Sequence, residues 1–330
     1  MHCELVVPGL FAADAAETLP AIELLLARAR AASDERCGLQ GWLQRAFGLE
    51  DGPHAAGALT VLGGGGEPGE DCWTRADPVH LRVMRDRLIL VPGHALGLRS
   101  EEAGALCEAL NRHFSSEMRF EAVDPLRWCA RLAGEAGFAA DCPLDAAGRD
   151  VDLAAPTGRG EPHRLLNEAQ MLLHGHPVNE AREAHGEAPV NSLWLWGAGR
   201  KPREAANRWR SVSAEEPVAL GLARVAGSRA LGLPASAREW LERSPEEGRH
   251  LVVLDRLRAP LALGEAAEYR EARAALEREW FAPLLAALRR GRIGMLTIHV
   301  PDGPECMAYE TIRGDLRRFW RRPRRLHQYA

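Results

Sequence analysis

The sequence predicts an α/β protein with a mainly parallel sheet, interrupted by an inserted α+β domain. A short buried strand followed by an amphipathic helix opens the chain, and buried strands alternate with helical runs again from residue 216 onward. Between them, residues 73–138 predict two strands, a helix and two further strands. Because strands that alternate with helices form parallel sheets, we place an α/β core in residues 1–70 and 201–330 and the inserted domain in residues 71–200.

The N-terminal region contributes the first strand and helix. The segment Glu4-Leu-Val-Val-Pro-Gly predicts a buried strand that ends at a turn, and apolar residues recur at helical spacing from Leu19 to Ala32. The run Gly63-Gly-Gly-Gly-Glu-Pro-Gly predicts a loop, because consecutive glycines lose too much backbone entropy in a helix or strand. A phosphate-binding loop would need a helix with a Lys-Ser/Thr pair directly after the glycines, and Pro68 to Cys72 lacks one.

The inserted region has short strands around a capped helix. The helix is Ser100–His113, with Ser100 as its cap and acidic residues in its first turn. The expected strands are Val79–Met84, Arg87–Val91, Met118–Glu121 and Leu126–Leu132. A second helix begins near Pro162 and ends before Gly175.

The C-terminal region returns to alternating helices and buried strands. The expected helices are Glu216–Leu231 and Glu265–Arg290, the second broken near Pro283. Arg249–Leu254 and Ile293–Val300 predict buried strands, because each carries an uninterrupted apolar run. These strands belong to the same sheet as the N-terminal one, which makes the core discontinuous in sequence.

Composition limits the class of protein. The chain has 330 residues, 46% hydrophobic and 27% charged, as in globular proteins, with no apolar run near the ~20 residues that a membrane helix needs. The N-terminus lacks a basic region followed by an apolar one, so we expect a cytoplasmic protein without membrane contact. The net charge of −4 gives no general attraction to nucleic acid. Seven cysteines without a Cys-x-x-Cys pair indicate reduced thiols.

One block concentrates polar side chains and tryptophans. It runs through Leu166-Asn-Glu-Ala-Gln-Met-Leu-Leu-His-Gly-His-Pro-Val-Asn-Glu-Ala-Arg and on through Pro189-Val-Asn-Ser-Leu-Trp-Leu-Trp-Gly-Ala-Gly. This block resembles a segment of archaeal-type, cofactor-independent phosphoglycerate mutases with the pattern N-E, H-P-V-N-x-x-R, A-N and R-G-A-G. It resembles bacterial RpfE-type regulatory proteins still more closely, since they share its W-x-R-A-D-P-V-H-L and N-S-L-W-x-W-G signatures.

The resemblance implies a fold and a binding site. Archaeal-type mutases have an alkaline-phosphatase-like α/β core with an inserted domain that holds the substrate. The matched positions would bind a phosphorylated small acid, since arginine and amide groups suit its oxygens. They are Arg75, Asn167, Glu168, Asn179, Arg182 and Asn191. His176 is the candidate proton donor. In the alternative interpretation, Asn179 and Asn191 satisfy loop backbone, His176 stands in a turn and the tryptophans belong to the core.

The departures from the resemblance concern catalysis. Enzymes of this superfamily hold two divalent metals through acids and histidines at strand ends and use a Ser or Thr nucleophile. Here the first strand ends in Val7-Pro8-Gly9, and the stretch at the nucleophile position, Gly48–His54, has no serine. Trp196 replaces the arginine of R-G-A-G. These departures predict a pseudoenzyme without a metal cofactor. The resemblance to RpfE-type proteins implies a regulatory role for it, and the resemblance to mutases implies binding of a phosphorylated small acid.

Two other functions stay open. An active mutase or phosphatase could hold manganese or zinc in a non-standard site formed by Asp255, His299 and Asp302. An interaction protein could use the arginine-rich run of residues 317–325 to bind a protein or nucleic acid, with Phe319 and Trp320 in contact with the partner. For this run we favour a helix that packs both aromatic residues into the core and leaves its arginines solvated or paired with surface acids.

Overall fold

The computed structural model describes residues 1–11, 17–35, 37–49, 55–84, 87–134, 141–147, 161–243, 247–301 and 305–329. These form two compact units. The first contains Met1–Glu50 and Glu204–Ala330, and the second contains Asp51–Arg203. Residues 51–70, which the sequence analysis grouped with the core, fall in the second unit. Asp302 lies outside the described residues.

The helices and strands are numbered in chain order. The helices are α1 (Pro20–Arg28), α2 (Gly38–Ala46), α3 (Ala56–Gly63), α4 (Ser100–His113), α5 (Pro143–Ala146), α6 (Glu161–His174), α7 (Pro177–Ala184), α8 (Pro217–Val225), α9 (Ala237–Arg243), α10 (Arg258–Leu263), α11 (Ala266–Leu276) and α12 (Ala282–Arg289). The strands are β1 (His2–Val6), β2 (Arg30–Asp34), β3 (Cys72–Met84), β4 (Arg87–Pro92), β5 (Met118–Asp124), β6 (Arg127–Leu132), β7 (Ser192–Arg200), β8 (Ser211–Ala214), β9 (Arg229–Gly232), β10 (Arg249–Val253), β11 (Met295–Val300) and β12 (Cys306–Ile312).

The first unit is built on a seven-stranded sheet in the order β2-β12-β11-β1-β10-β8-β9. Strand β1 is parallel to both β10 and β11, and β8 is parallel to β10 and β9. Only β12 pairs antiparallel in this sheet, with β11 and β2. The prediction of a mainly parallel sheet with strands from both ends of the chain is therefore confirmed.

The two faces of β1 have different surroundings. Cys3, Leu5 and Val7 belong to a large apolar cluster that includes the indoles of Trp240 and Trp280. Because side chains alternate along a strand, the residues between them face the other way. That second face carries polar side chains, with buried Glu4 at its centre.

The second unit is built on a five-stranded sheet around the long strand β3. One edge of β3 pairs with β6 through its first residues and with β4 through its last, and the other edge pairs with β7. All these pairings are antiparallel, as is that of β5 with β6. The predicted hairpin and strand pair are confirmed, and the apolar cluster of this unit surrounds the buried Trp128.

Helix α3 packs on this second sheet. A Cβ atom placed on Gly57 would lie 2.6 Å from backbone atoms of Trp73 and Thr74 in β3. A Cβ placed on Gly197 would lie 2.5 Å from that of Ala56, where β7 passes the start of the helix. Glycine at both positions allows helix and strands to approach closely, which explains why residues 56–63 belong with this unit.

Two predicted helices end earlier than expected. Helix α1 stops at Arg28, and Arg30–Asp34 forms strand β2 because it pairs with β12. Helix α8 stops at Val225, since Gly227 adopts a left-handed φ of 70°, and the chain continues as strand β9. In both cases the continuation is determined by pairing with a distant strand, which local periodicity does not reveal.

Candidate functional site

The mutase-like signature block occupies helices α6 and α7 and strand β7. The predicted helix after Pro162 is present as α6, and Pro177 is the first residue of α7, where its fixed φ suits a helix start. His176 is the N-cap of α7, and its Nδ1 accepts a hydrogen bond of 3.2 Å from the backbone N–H of Val178. Burial and the nearby Arg112 lower the pKa of His176, so the ring is neutral at pH 7 and can accept this bond.

Arg182 is directed into its own unit. Its side chain is 0% exposed and forms an ion pair of 3.0 Å with Glu102 of α4 and one of 3.3 Å with Glu187. It also donates to the carbonyl oxygens of Ala188 and Leu96. The predicted anion-binding arginine therefore connects α7 to α4 and to the loop before β7, and it offers no surface to a ligand in this structure.

Asn179 and Asn191 satisfy backbone groups. The amide nitrogen of buried Asn179 donates to the carbonyl oxygens of Leu173 and Val190, and its oxygen accepts from the N–H of Val190. The amide of Asn191 makes a reciprocal pair with the backbone N–H and C=O of Leu81 in β3, at 2.7 and 3.0 Å. These contacts support the structural interpretation of both amides.

Arg75 forms a buried cluster with Asp77 and Trp196. The Arg75 guanidinium donates to Asp77 Oδ1 at 2.6 and 3.0 Å, and to the hydroxyl of Thr60 at 3.2 Å. Trp196, which replaces the arginine of the mutase pattern, donates its indole N–H to Asp77 Oδ2 at 2.7 Å. Arg75 Cζ lies 5.1 Å from the centroid of the Trp196 ring. Burial raises the pKa of Asp77, although Arg75 and Trp196 both favour its charged form.

The remaining two predicted contacts lie on the outside of α6. Asn167 is exposed. Glu168 accepts hydrogen bonds from Arg164 and from His113, each at 2.9 Å. Among the predicted anion-binding residues, the structure thus brings Arg75, Asn179, Arg182 and Asn191 into internal contacts of one unit and leaves Asn167 on the surface.

The carboxyl ends of the parallel strands in the first unit are where the resemblance places metal ligands. After β1 comes Val7, which is 0% exposed and packed in the apolar cluster, at the position of the expected metal-binding acid. Asp255 follows β10 and is half-buried, and His299 lies on β11. Within the described ranges, no group of three or more His, Cys, Asp or Glu side chains is placed to hold a metal ion. These described strand ends do not fit a two-metal site.

The second, polar face of the first sheet carries a charged cluster that was not predicted from the sequence. Glu4 on β1 accepts a hydrogen bond of 2.7 Å from Arg249 Nε on β10, and its other oxygen lies 3.6 Å from His299 Nε2. His2 Nδ1 lies 3.6 Å from Glu4, and its Nε2 is hydrogen-bonded to Thr297 at 2.8 Å. Burial acts to raise the pKa of Glu4, but the nearby His299 side chain and the bond from Arg249 outweigh it and lower the pKa to about 2.

This cluster follows from strand register. His2 is level with Arg249, and Val6 is level with His299, so alternate residues of three neighbouring strands meet on one face. A single acid within an apolar strand was the signal for it. The partners of Glu4 could not be predicted from the sequence, because they depend on the position of β1 between β10 and β11.

The arginine-rich segment near the C-terminus does not form the expected helix. Residues Asp315–Arg317 form one 3-10 turn, and Phe319 and Trp320 are 79% and 67% exposed. The prediction that they pack into the core is wrong. The two rings contact each other edge to face, with centroids 5.4 Å apart. The residue of this region that reaches the core is Leu326, which is buried in the apolar cluster of the first unit.

Fold and residues together define a two-unit α/β protein with a mutase-like signature block. No protein-family model matches the chain. It is 36% identical over 135 residues to a Geobacter sulfurreducens protein named "Probable 2,3-bisphosphoglycerate-independent phosphoglycerate mutase", covering 40% of this chain and 34% of that protein. It is 34% identical over 111 residues to the 2,3-bisphosphoglycerate-independent phosphoglycerate mutase of Methanosarcina mazei, covering 32% of this chain and 28% of that enzyme. The match thus spans about a third of each relative.

A solved structure shares the fold over most of the chain. The PH0037 protein of Pyrococcus horikoshii superposes with a TM-score of 0.58 at 13% identity, over 94% of this chain and 87% of that one. The predicted fold class, an α/β core with a mainly parallel sheet and an added α+β unit with an antiparallel sheet, is confirmed. Both relatives are thus named as 2,3-bisphosphoglycerate-independent phosphoglycerate mutases, the first of them as a probable one. In the described part of the chain, none of the helices has the length and apolar character to cross a membrane.

Proposed function

We propose that this chain is a phosphoglycerate mutase-like regulatory protein that does not carry out two-metal phosphoryl transfer. The observation that carries the proposal is Val7, an apolar core residue at the strand end where the resemblance requires a metal-binding acid. Substituting an aliphatic group for a carboxylate removes a ligand and the negative charge that holds a divalent cation. The homology to mutases supports an inherited scaffold, and the RpfE-like signatures of the sequence are the reason for proposing a regulatory role.

The contacts of the signature block support the same proposal. Arg75 and Arg182 each have a buried carboxylate partner within their own unit, Asp77 and Glu102 respectively. An arginine whose charge is already balanced inside the protein contributes little to binding an incoming phosphate. The block therefore stabilises the second unit, and a phosphorylated small acid would need contacts outside this set, with exposed Asn167 as the remaining candidate.

Metal content and turnover of the purified full-length chain test the proposal. We expect no stoichiometric manganese or zinc by mass spectrometry. We also expect no conversion of 3-phosphoglycerate to 2-phosphoglycerate, with or without added Mn²⁺. Activity that is lost in chelator and restored by manganese or zinc would instead establish the non-standard metal site that includes Asp255 and His299. A thermal shift with 3-phosphoglycerate, compared with unphosphorylated glycerate, tests binding of a phosphorylated acid separately from turnover.

A second function rests on the exposed aromatic pair. Phe319 and Trp320 stand in solvent beside exposed Arg317, Arg322 and Arg324, which form no ion pair with any described residue. Exposed aromatic and arginine side chains are typical of binding surfaces. Arg318, Arg321 and Arg325 of the same run contact their own unit. Because half of the run is used internally, we favour an acidic protein segment as partner over an extended nucleic acid.

Point substitutions test this surface better than truncation does. Deleting residues 317–330 would also remove Leu326 from the core, so lost binding would be ambiguous. We expect a fluorescent poly-glutamate peptide to bind the native chain and to bind the Phe319→Ser, Trp320→Ser variant at least tenfold more weakly. Val83→Ser, at another exposed apolar residue, is the control. Equal binding to both variants contradicts the proposal, and tighter binding of an oligothymidylate of equal length would assign the surface to nucleic acid.

A further inference from the structure

Two cysteines from distant parts of the chain meet at one edge of the first unit. Strand β2 pairs with β12 so that Asp34 is level with Cys306. Three residues after Asp34, Cys37 caps the start of α2, and the next N–H, from Gly38, donates to the carbonyl oxygen of Pro301 at 3.2 Å. These pairings place the Cys37 and Cys306 thiols in hydrogen-bonding contact.

The two thiols have different environments. Cys37 is half-buried and Cys306 is buried. The bond from the Cys306 thiol and the guanidinium of Arg45 outweigh burial and lower the pKa of Cys37 to about 7. The bond to Cys37 and burial raise the pKa of Cys306. Cys37 is thus the thiol of the pair that ionises first, and its thiolate accepts the hydrogen bond that Cys306, which keeps its proton, donates.

Three other buried cysteines have the opposite environment. Burial raises the pKa of Cys3 and Cys129 and raises that of Cys107 to about 12. A thiol of this kind is a poor nucleophile at neutral pH, because only the thiolate attacks. The described part of the chain therefore contains one pair with the arrangement of a peroxide-reactive cysteine and a neighbouring thiol that can resolve it.

We propose that Cys37 and Cys306 form a reversible, peroxide-driven disulfide. The Cys37 thiolate attacks a hydroperoxide, so that an S–O bond forms, the O–O bond breaks and the leaving oxygen takes a proton. The Cys306 sulfur then attacks the Cys37 sulfenic acid, the S–S bond forms, and the released hydroxide leaves as water with the proton of Cys306. In sum, two thiols lose two electrons and reduce one hydroperoxide to an alcohol, or to water for hydrogen peroxide, with a second water released.

The disulfide would connect two elements of the first unit. On one side is the start of α2, which carries Trp42, and on the other is the β11–β12 hairpin, which carries His299. The Trp42 and His299 rings are 4.8 Å apart between centroids. A covalent link beside this contact would restrict movement of α2 relative to the hairpin, in a way that a cellular thiol reductant can reverse.

Peptide mapping after mild oxidation tests the assignment. The full-length, reduced chain is treated with one equivalent of hydrogen peroxide at pH 7 and digested without reductant. We expect a single linked peptide pair that contains Cys37 and Cys306, lost on adding dithiothreitol. In the Cys306→Ser and Cys306→Ala variants, Cys37 should instead accumulate sulfenic acid that dimedone traps. An intact chain without this linkage, or with other cysteines oxidised first, overturns the proposal.

The role of Arg45 has its own measurement. Alkylation of Cys37 by iodoacetamide should follow a pH profile with a midpoint near 7. In Arg45→Gln we expect this midpoint to rise and the rate at pH 7 to fall several-fold. Cys142, which is also half-buried, is the matched control and should keep its rate in the variant. If Cys37 and Cys142 react equally fast at pH 7 in the native chain, Cys37 is not activated and the inference fails.

Discussion

Arg182 and Glu102 form a wholly internal ion pair, with Nη1 and Oε2 3.0 Å apart and the arginine side chain 0% exposed. Arg182 belongs to the signature block and Glu102 to the first turn of α4, where Glu102 also accepts from the N–H of Arg99. The pair therefore connects the first turn of α4 to the last turn of α7. Arg182, which the signature block suggests as a phosphate-binding residue, thus pairs in the fold with the buried carboxylate of Glu102.

Arg182→Met should destabilise the second unit by about 1.5–3 kcal/mol, because Glu102 loses its buried partner and keeps the exposed Arg99 as its cation. The measurement is urea unfolding followed by tryptophan fluorescence. Arg112→Met is the control, since Arg112 forms an exposed pair with Glu108 and its loss should change stability by less than about 0.5 kcal/mol. Equal effects of the two substitutions would mean that Arg182 is exposed in solution, which would restore it as a candidate ligand contact.

Gly57→Ala should be destabilising, by about 1–3 kcal/mol, because the added Cβ meets backbone atoms of β3 that cannot move aside. Gly104→Ala is the matched control. Gly104 lies on the exposed side of α4 with nothing within 4 Å of a Cβ, so alanine there should stabilise the helix by about 0.5–1 kcal/mol. Thermal unfolding should give a lower melting temperature for Gly57→Ala and a higher one for Gly104→Ala than for the native chain. A stabilising Gly57→Ala would show that α3 is not packed against β3 as described.

Sequence predicted the elements with strong local signals. Helix α4 has the predicted bounds because acidic residues begin it and basic residues end it. Strand β10 follows from its apolar run. Strand β2 could not be predicted, since all its residues are exposed and it is a strand only through its pairing with β12. The signature block shows the same limit, because composition alone cannot distinguish an arginine that binds a ligand from one whose carboxylate partner lies on another helix.

Acidification should test the Glu4 cluster. The pKa of Glu4 is about 2 in the fold, below its ordinary 4.5, so its contribution is complete above pH 4.5 and is lost as pH falls towards 2. At about 1.4 kcal/mol per pKa unit, this amounts to about 3 kcal/mol. The difference in unfolding free energy between the native chain and Glu4→Gln should therefore shrink from pH 6 to pH 3.

Glu277 supplies a control of opposite sign for that experiment. Burial raises its pKa, despite its hydrogen bonds from the N–H groups of Ala21 and Ile22. The native chain should consequently gain stability relative to Glu277→Gln as pH falls through the same range. If both differences changed in the same direction, a general acid effect would explain the data, and the Glu4 cluster would have no specific role.

Trp196→Phe should destabilise the second unit more than Trp194→Phe does, although both residues lie on β7. Trp196 donates to buried Asp77 at 2.7 Å, and a bond to a charged group contributes about 1.5–3 kcal/mol. Trp194 donates to the carbonyl oxygen of Asp141 at an exposed position, where water can replace the indole. Urea unfolding of the two variants gives the comparison. Because Trp196 replaces the arginine of the mutase pattern, a large and selective loss would show that the Asp77–Arg75 pair depends on this replacement. Equal losses would mean that Asp77 is satisfied by Arg75 alone.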